Sequence, residues 1–171
     1  RWAAGSLLAY AAFCGWLWWR GRTRDDATAG SDALLLVWAS QTGFAQQLAE
    51  RSAEALRAAG LPVRLRGLHQ LDADLLQSST RVLFIASTTG EGDAPDHALP
   101  FLRKVMPHRV KLADLHYGVL ARGDRSYGHF CGFGHQLDAW LRRHGAHPLF
   151  DTVEVDNADP AALRHWQQLL G

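Results

Sequence analysis

The tightest constraint on this chain is a corner at residues 34–45, where Leu-Leu-Leu-Val-Trp-Ala runs directly into Ser-Gln-Thr-Gly-Phe-Ala. A short, wholly apolar run of this kind is a strand covered on both faces, as in a parallel sheet. The small polar loop with its glycine then opens into an alanine-rich stretch with helical spacing. Strand, loop and helix in that order leave free backbone N–H groups at the positive end of the helix, where a phosphate is readily held. Ser40 and Thr42 add hydroxyls to that loop. It contains no lysine, so it is not the G-x-x-x-x-G-K-[ST] loop, and the G-x-G-x-x-G fingerprint is absent as well. A plain helix cap is the alternative reading of the same serine.

The pattern repeats down the chain. Phe44, Leu48, Ser52, Ala55, Leu56 and Ala59 recur at helical spacing, and Gly60-Leu61-Pro62 ends that helix. Residues 63–68 alternate enough for an outer strand. Val82 to Ala86 is a second apolar run, feeding Ser87-Thr88-Thr89-Gly90-Glu91-Gly92-Asp93; a helix marked by Ala98, Phe101, Leu102 and Val105 follows. Residues 117–121 form another core strand, leading into Arg122-Gly123-Asp124-Arg125-Ser126-Tyr127-Gly128-His129-Phe130-Cys131 and a helix carrying Phe133, Leu137, Trp140, Leu141 and His144. A fifth strand over 152–155 and a terminal helix with Leu163, Trp166, Leu169 and Leu170 complete the pattern. Five strands separated by helices predict an α/β sandwich on a parallel sheet. In such a sheet ligands sit beyond the carboxyl ends of the strands, where strand order reverses. The three unusual loops all leave carboxyl ends, so the topology brings them to one edge.

The first 32 residues differ. Trp2 to Trp19 carries no charge, and 18 residues span roughly 27 Å as a helix, close to the hydrocarbon thickness of a bilayer. Trp16, Trp18 and Trp19 stand at one end, as an interfacial belt does, and Arg20, Arg22 and Arg24 follow at once. The expectation is a single transmembrane helix at 1–20 with its C-terminal side in the cytoplasm, then a polar linker at 21–32 and a domain at 33–171. A cleaved signal peptide ending at Ala27-Thr28-Ala29 is the competing reading, which the arginines after the apolar run disfavour. Residues 1–32 hold four Arg and three Asp, leaving 14 basic and 14 acidic side chains from Ala33 onward. A neutral domain is not built to grip nucleic acid. Two cysteines far apart, Cys14 and Cys131, predict no disulfide and a reducing compartment.

The three loops, taken in order, resemble the flavin-mononucleotide loops of flavodoxin-like domains, most closely those of diflavin reductases such as the sulfite reductase flavoprotein and cytochrome P450 reductase. A phosphate held by amides and hydroxyls without a basic side chain agrees with flavin mononucleotide rather than ATP or NAD. The resemblance covers about residue 33 to the end and implies a five-stranded sheet in the order 2-1-3-4-5. It implies that Ser40, Gln41, Thr42, Gly43, Phe44 and Ala45 hold the phosphate. Many simple flavodoxins carry a hydroxyl residue where Ala45 stands, so one hydrogen bond is expected to be missing there. Ser87, Thr88, Thr89 and Gly90 then border the isoalloxazine. An aromatic stands at the Thr89 position in many relatives, so that face is expected to be less covered here, or covered by another residue such as Trp38. Tyr127 stacks on the other face, and Arg122, Gly123, Asp124, Arg125, Ser126, Gly128, His129, Phe130 and Cys131 line the ring and ribityl chain. Asp156 matches a further family position. The peptide at Gly90 is free to turn its carbonyl toward the protonated flavin N5, glycine being the residue least hindered in such a turn.

The resemblance further implies an electron relay with no catalytic side chain of its own. Single electrons pass from a reductase module that binds FAD and NADPH, in cis or in trans and absent from this sequence, to an acceptor protein or metal centre. Bacterial membrane proteins of the PepSY-helix type are similar in appending such modules to an anchor. Glu91 and Asp93 are candidates for guiding a basic partner, or are simply solvated. The other function class is an anchored flavodoxin-fold domain without flavin, serving interaction or sensing. Nine histidines lack metal-ligand spacing, no G-x-S-x-G elbow or paired carboxylates are present, and Arg122-Gly123-Asp124 lies within a loop with another role.

Overall fold

The computed structural model describes residues 32–171. The apolar runs become β1 (Leu34–Ala39), β3 (Arg81–Ser87) and β4 (His116–Gly123), with β2 (Val63–Gly67) outside β1. Between them lie α1 (Phe44–Ala58), α2 (Ala73–Ser78), α3 (Leu99–Lys104) and α4 (Gly132–Arg143); β5 (His147–Pro148), β6 (Val153–Asp156) and α5 (Pro160–Leu170) follow. Single 3₁₀ turns occupy Leu68–Gln70 and Asp96–Ala98. The strands of the sheet pair in parallel and the order is β2-β1-β3-β4-β5, with β6 also on β4. The expected 2-1-3-4-5 order therefore holds.

Both faces of the sheet are covered, which is why the strands read as unbroken apolar runs. Leu35, Val37, Phe84 and Val119 point to the side of α2, α3 and α4, where Leu76, Phe101, Phe133 and Trp140 meet them. Leu36, Leu83, Ile85 and Leu120 point to the side of α1 and α5. Trp166 of α5 is fully buried there, its indole N–H donating to Ser52 Oγ of α1 at 3.2 Å.

Three details differ from the sequence reading. The fifth strand is two pieces: β5 pairs with His116 and Tyr117, β6 with residues 120–123, and the chain leaves the ladder between them. Phe150 fills the break, its ring packed over Gly118 and edge-on to Trp166 at 5.8 Å between centroids. The buried stripe of α1 is Ala45, Ala49, Ser52, Ala53 and Leu56, while Ala55 is exposed. Small alanines let that helix lie close on the sheet, so the larger Phe44 is left half-buried at its start. Helix α2 has no apolar periodicity to mark it in the sequence; it is six residues long, buries only Leu76, and is fixed by the Asp72 carboxylate accepting the Leu75 N–H at 2.7 Å. The apolar stretch 2–19 and its arginines lie outside the described residues, as does all of the linker but Asp32. Among the described residues no helix is long and apolar enough to cross a membrane.

Candidate functional site

Register decides where the loops emerge. Ala39 pairs with Ala86, and Ala86 with Ala121, so three alanines form a row at the carboxyl edge of β1, β3 and β4. The three loops leave just past that row, on either side of the β1/β3 boundary where strand order reverses.

The loop at 40–45 is a backbone nest. Ser40 Oγ accepts the N–H groups of Gly43 at 2.9 Å and Ala45 at 3.3 Å, leaving its own proton to donate. Gly43 has φ +88°, a conformation that favours glycine, and open space where a Cβ would stand. The amides of Thr42, Phe44 and Gln46 take no partner among the described residues. The side chain of Ala45 is fully buried in the cluster on the α1 side of the sheet and carries no hydroxyl to add to the loop.

No lysine lies in the loop, yet a cation does reach it. Arg122, at the end of β4, places its guanidinium carbon 4.4 Å from the centre of the Phe44 ring and donates from Nε to the Asn157 carbonyl at 2.6 Å. A positive charge beside the positive end of α1 is repelled unless an anion joins them.

The second loop is a closed hairpin. Thr89 and Asp93 exchange backbone bonds at 2.8 and 2.9 Å, and the Thr89 hydroxyl turns back to the carbonyls of Asp93 and Ala94. Gly90 at its tip is exposed, with φ +48° and open space around it. Thr88 is engaged inside: its hydroxyl accepts the Phe133 N–H of α4 at 3.3 Å and its amide donates to the Arg122 carbonyl at 2.9 Å. Ser87 Oγ is buried with no hydrogen-bond partner, a rare state for a hydroxyl that calls for a missing group.

The third loop folds over the second. The Gly128 N–H donates to Glu91 at 3.2 Å, and a Cβ on Gly132 would strike Gly92 at 2.9 Å. Asp124 accepts the amide and hydroxyl of Ser126, which hold its carboxyl below the usual range. Asp156 accepts the Arg125 amide at 3.1 Å, with the Arg125 side chain nearby and lying over Phe130. Tyr127 remains 44% exposed, a large ring without cover. His129 is exposed and packs on Gly92. Cys131 sits beneath the loop rather than in it: its thiol is buried, donates to the Ala121 carbonyl at 3.1 Å, and is pushed up to about 11 by burial and then by Glu154. Gly123 is required at the strand end, since a Cβ there would meet the Cys131 amide at 2.7 Å.

Trp38, expected as a cover for the ring face, packs against His97 and His69, with centroids 5.1 and 6.0 Å away. Those histidines and Asp96 were not singled out in the sequence. They come from separate segments, and no local pattern announces them. Among the described residues no group of three or more His, Cys, Asp or Glu side chains is placed to hold a metal ion.

Comparison with known proteins follows the same outline. The flavodoxin family profile matches residues 36–166. The chain is 38% identical over 136 residues to the sulfite reductase [NADPH] flavoprotein alpha-component of Aliivibrio fischeri, covering 79% of this chain and 22% of that protein. It is 37% identical over 145 residues to the component of the same name from Vibrio cholerae, covering 84% and 24%. It thus spans about a quarter of the length of the curated relatives it matches. Among solved structures, a Streptococcus pneumoniae flavodoxin superposes with a TM-score of 0.71 at 27% identity, over 81% of this chain and 94% of that one.

Proposed function

The chain belongs to the flavodoxin family, and on that footing we propose that it binds flavin mononucleotide and relays single electrons. The observation that carries this reading is the meeting of three loops at one sheet edge, with an anion nest at one end, an orphaned hydroxyl in the middle and an uncovered tyrosine at the other. The residues fit the cofactor. Ser40, Thr42 and the amides of Thr42, Phe44 and Gln46 would take the phosphate, with Arg122 supplying the charge that the loop itself lacks. Ser87 has an unmet hydrogen bond to offer. Tyr127 offers area and a π face for stacking. The bound flavin supplies one-electron chemistry that no side chain here provides. The protein's part is to grip the phosphate, hold the ring and leave one edge reachable.

Likeness to the sulfite reductase flavoprotein supports a wider arrangement. Electrons would come from an FAD- and NADPH-binding module, fused or separate, and leave to a redox acceptor protein such as the partner of those relatives. The uncharged stretch 2–19 with its following arginines supports a single bilayer anchor and a domain facing the cytoplasm.

Addition of flavin mononucleotide to the purified 171-residue chain should give retained absorbance near ~450 nm after desalting, the mark of bound oxidised flavin. A colourless protein that quenches no added flavin fluorescence refutes the reading. The anchor is tested separately: recovery of the chain in the soluble fraction after alkaline extraction of expressing cells' membranes refutes it.

A further inference from the structure

Beside the phosphate loop, on the β2 side, lies a groove of about 360 Å³ lined by Trp38, Gln41, Gly43, His69 and His97. His97 comes from the 3₁₀ turn after the second loop, and it does one specific thing: its Nε2 accepts the backbone N–H of Ser40 at 2.7 Å. A ring nitrogen that accepts carries no proton, so the proton of the neutral ring is on Nδ1. That Nδ1 is 3.2 Å from Nδ1 of His69, which must then accept and carry its own proton on Nε2. One amide thus fixes the tautomers of both rings. The same assignment removes the pair as a metal site, because His97 has no lone pair left on Nδ1. Gln41 and Asp96 exchange two further bonds alongside, 3.0 Å from the Asp96 amide and 3.3 Å to its carboxylate.

We propose that neutral His97 is a positioning residue for the cofactor phosphate, holding the 40–45 loop open through the Ser40 amide and releasing it when protonated. The inference rests on the flavin mononucleotide reading and deepens it. His97 acts through Ser40. When the ring takes a second proton, Nε2–H confronts the Ser40 N–H, donor against donor, and a half-buried amide loses its acceptor.

His69 approaches from the turn after β2, and Asp96 lies on its own segment; β1, the phosphate loop and the start of α1 contribute Trp38, Ser40, Gln41, Gly43 and Gln46, none of which titrates. Burial, and then repulsion from His69, set the pKa of His97 below the ordinary histidine value. The clamp is therefore intact at neutral pH and opens only in acid.

The test is a fluorescence titration of the full chain with flavin mononucleotide from pH 8 to 5, beside His97→Gln and His97→Phe. The phosphate has its own ionisation near ~6, which affects every variant alike, so the ratio of wild-type to variant Kd is the readout. Gln keeps an acceptor without a titrating proton, so the wild-type Kd should rise relative to His97→Gln as the pH falls, toward about tenfold once the His97 ring is fully protonated. Phe removes the acceptor and should weaken binding about tenfold at pH 8, more than Gln does. Riboflavin, which has no phosphate, should show a flat ratio. A flat ratio with flavin mononucleotide, or an equal slope with riboflavin, overturns the proposal. Nitrogen-15 NMR of the cofactor-free wild type separates this failure from that of the cofactor reading: the Ser40 amide should titrate together with the His97 ring. An amide that stays still while the ring titrates overturns the clamp even if flavin binds.

Discussion

The two ends of the loop cluster are built differently. At the phosphate end, Ser40 is buried and makes three hydrogen bonds, through its hydroxyl to Gly43 and Ala45 and through its amide to His97. At the ring end, Gly90 stands free at a hairpin tip and Tyr127 is 44% exposed. A dianion is best held by dipoles already aimed at it, since any later reorientation subtracts from affinity. A redox ring needs a reachable edge and a backbone able to turn. The contrast therefore assigns affinity to one end and redox tuning to the other, and substitutions at the two ends should separate these properties.

The sharpest way to break that division is Ser40→Ala. It strips the acceptor from one buried and one half-buried amide, and a donor from the phosphate, each unmet group costing about 1–3 kcal/mol. Affinity for flavin mononucleotide should fall about tenfold to a hundredfold, read by fluorescence quenching, with a much smaller change for riboflavin. Equal losses for the two flavins would show that Ser40 shapes the whole edge rather than the phosphate end alone.

Tyr127→Ala attacks the other end. An aromatic stacking contact is worth about 0.5–1.5 kcal/mol, so affinity should fall about twofold to tenfold, for both flavins alike. Because the ring is exposed and outside the buried core, the melting temperature of the cofactor-free chain should move little. A lowered melting temperature would place Tyr127 in the structural wall instead.

Much of this was legible in the sequence because the sheet is buried on both sides. Leu34–Ala39 and Arg81–Ser87 had to be apolar along almost their whole length, and the loops after them had to be small and polar. What stayed hidden is what depends on segments meeting in space. His69 and His97 are 28 residues apart and are joined by one hydrogen bond, and Arg122 reaches Phe44 across 78 residues of chain. Side-chain direction was hidden too. Ala45 and Cys131 lie inside loops that face solvent, yet both turn inward, one onto the sheet and one under β4. The split of the fifth strand follows from Phe150 filling the space over Gly118, a packing fact that no local pattern carries.

The floor beneath the ring end gives a pH test of the same contrast. In the folded chain the Cys131 thiol is pushed up to about 11, mainly by burial. Its ordinary value in an unfolded chain is near ~8.5. Between those values the unfolded chain releases a proton that the folded chain keeps, so unfolding is favoured as pH rises. The stabilising contribution is complete below the unfolded value and is lost as pH climbs toward 11. Urea midpoints of the wild type should therefore drop faster from pH 8.5 to 10.5 than those of Cys131→Ala, and iodoacetamide should leave the folded thiol unmodified at pH 8. Rapid alkylation there would mean that the floor opens to solvent.

The smallest effect on binding, and the cleanest separation, is expected at Gly90. Its φ of +48° favours glycine, while the space around its Cβ position is open. Alanine there meets no neighbour, and the penalty is confined to the backbone, about 1 kcal/mol. That penalty falls on the left-handed conformer and on any turn of the peptide that starts from it, at the end of the cluster farthest from the Ser40 nest in function. Flavin affinity should change less than about threefold, whereas the gap between the two one-electron potentials should narrow in a spectroelectrochemical titration. If Gly90→Ala instead weakens binding as much as Ser40→Ala while leaving the potentials in place, then both ends serve affinity and the division of labour between them is wrong.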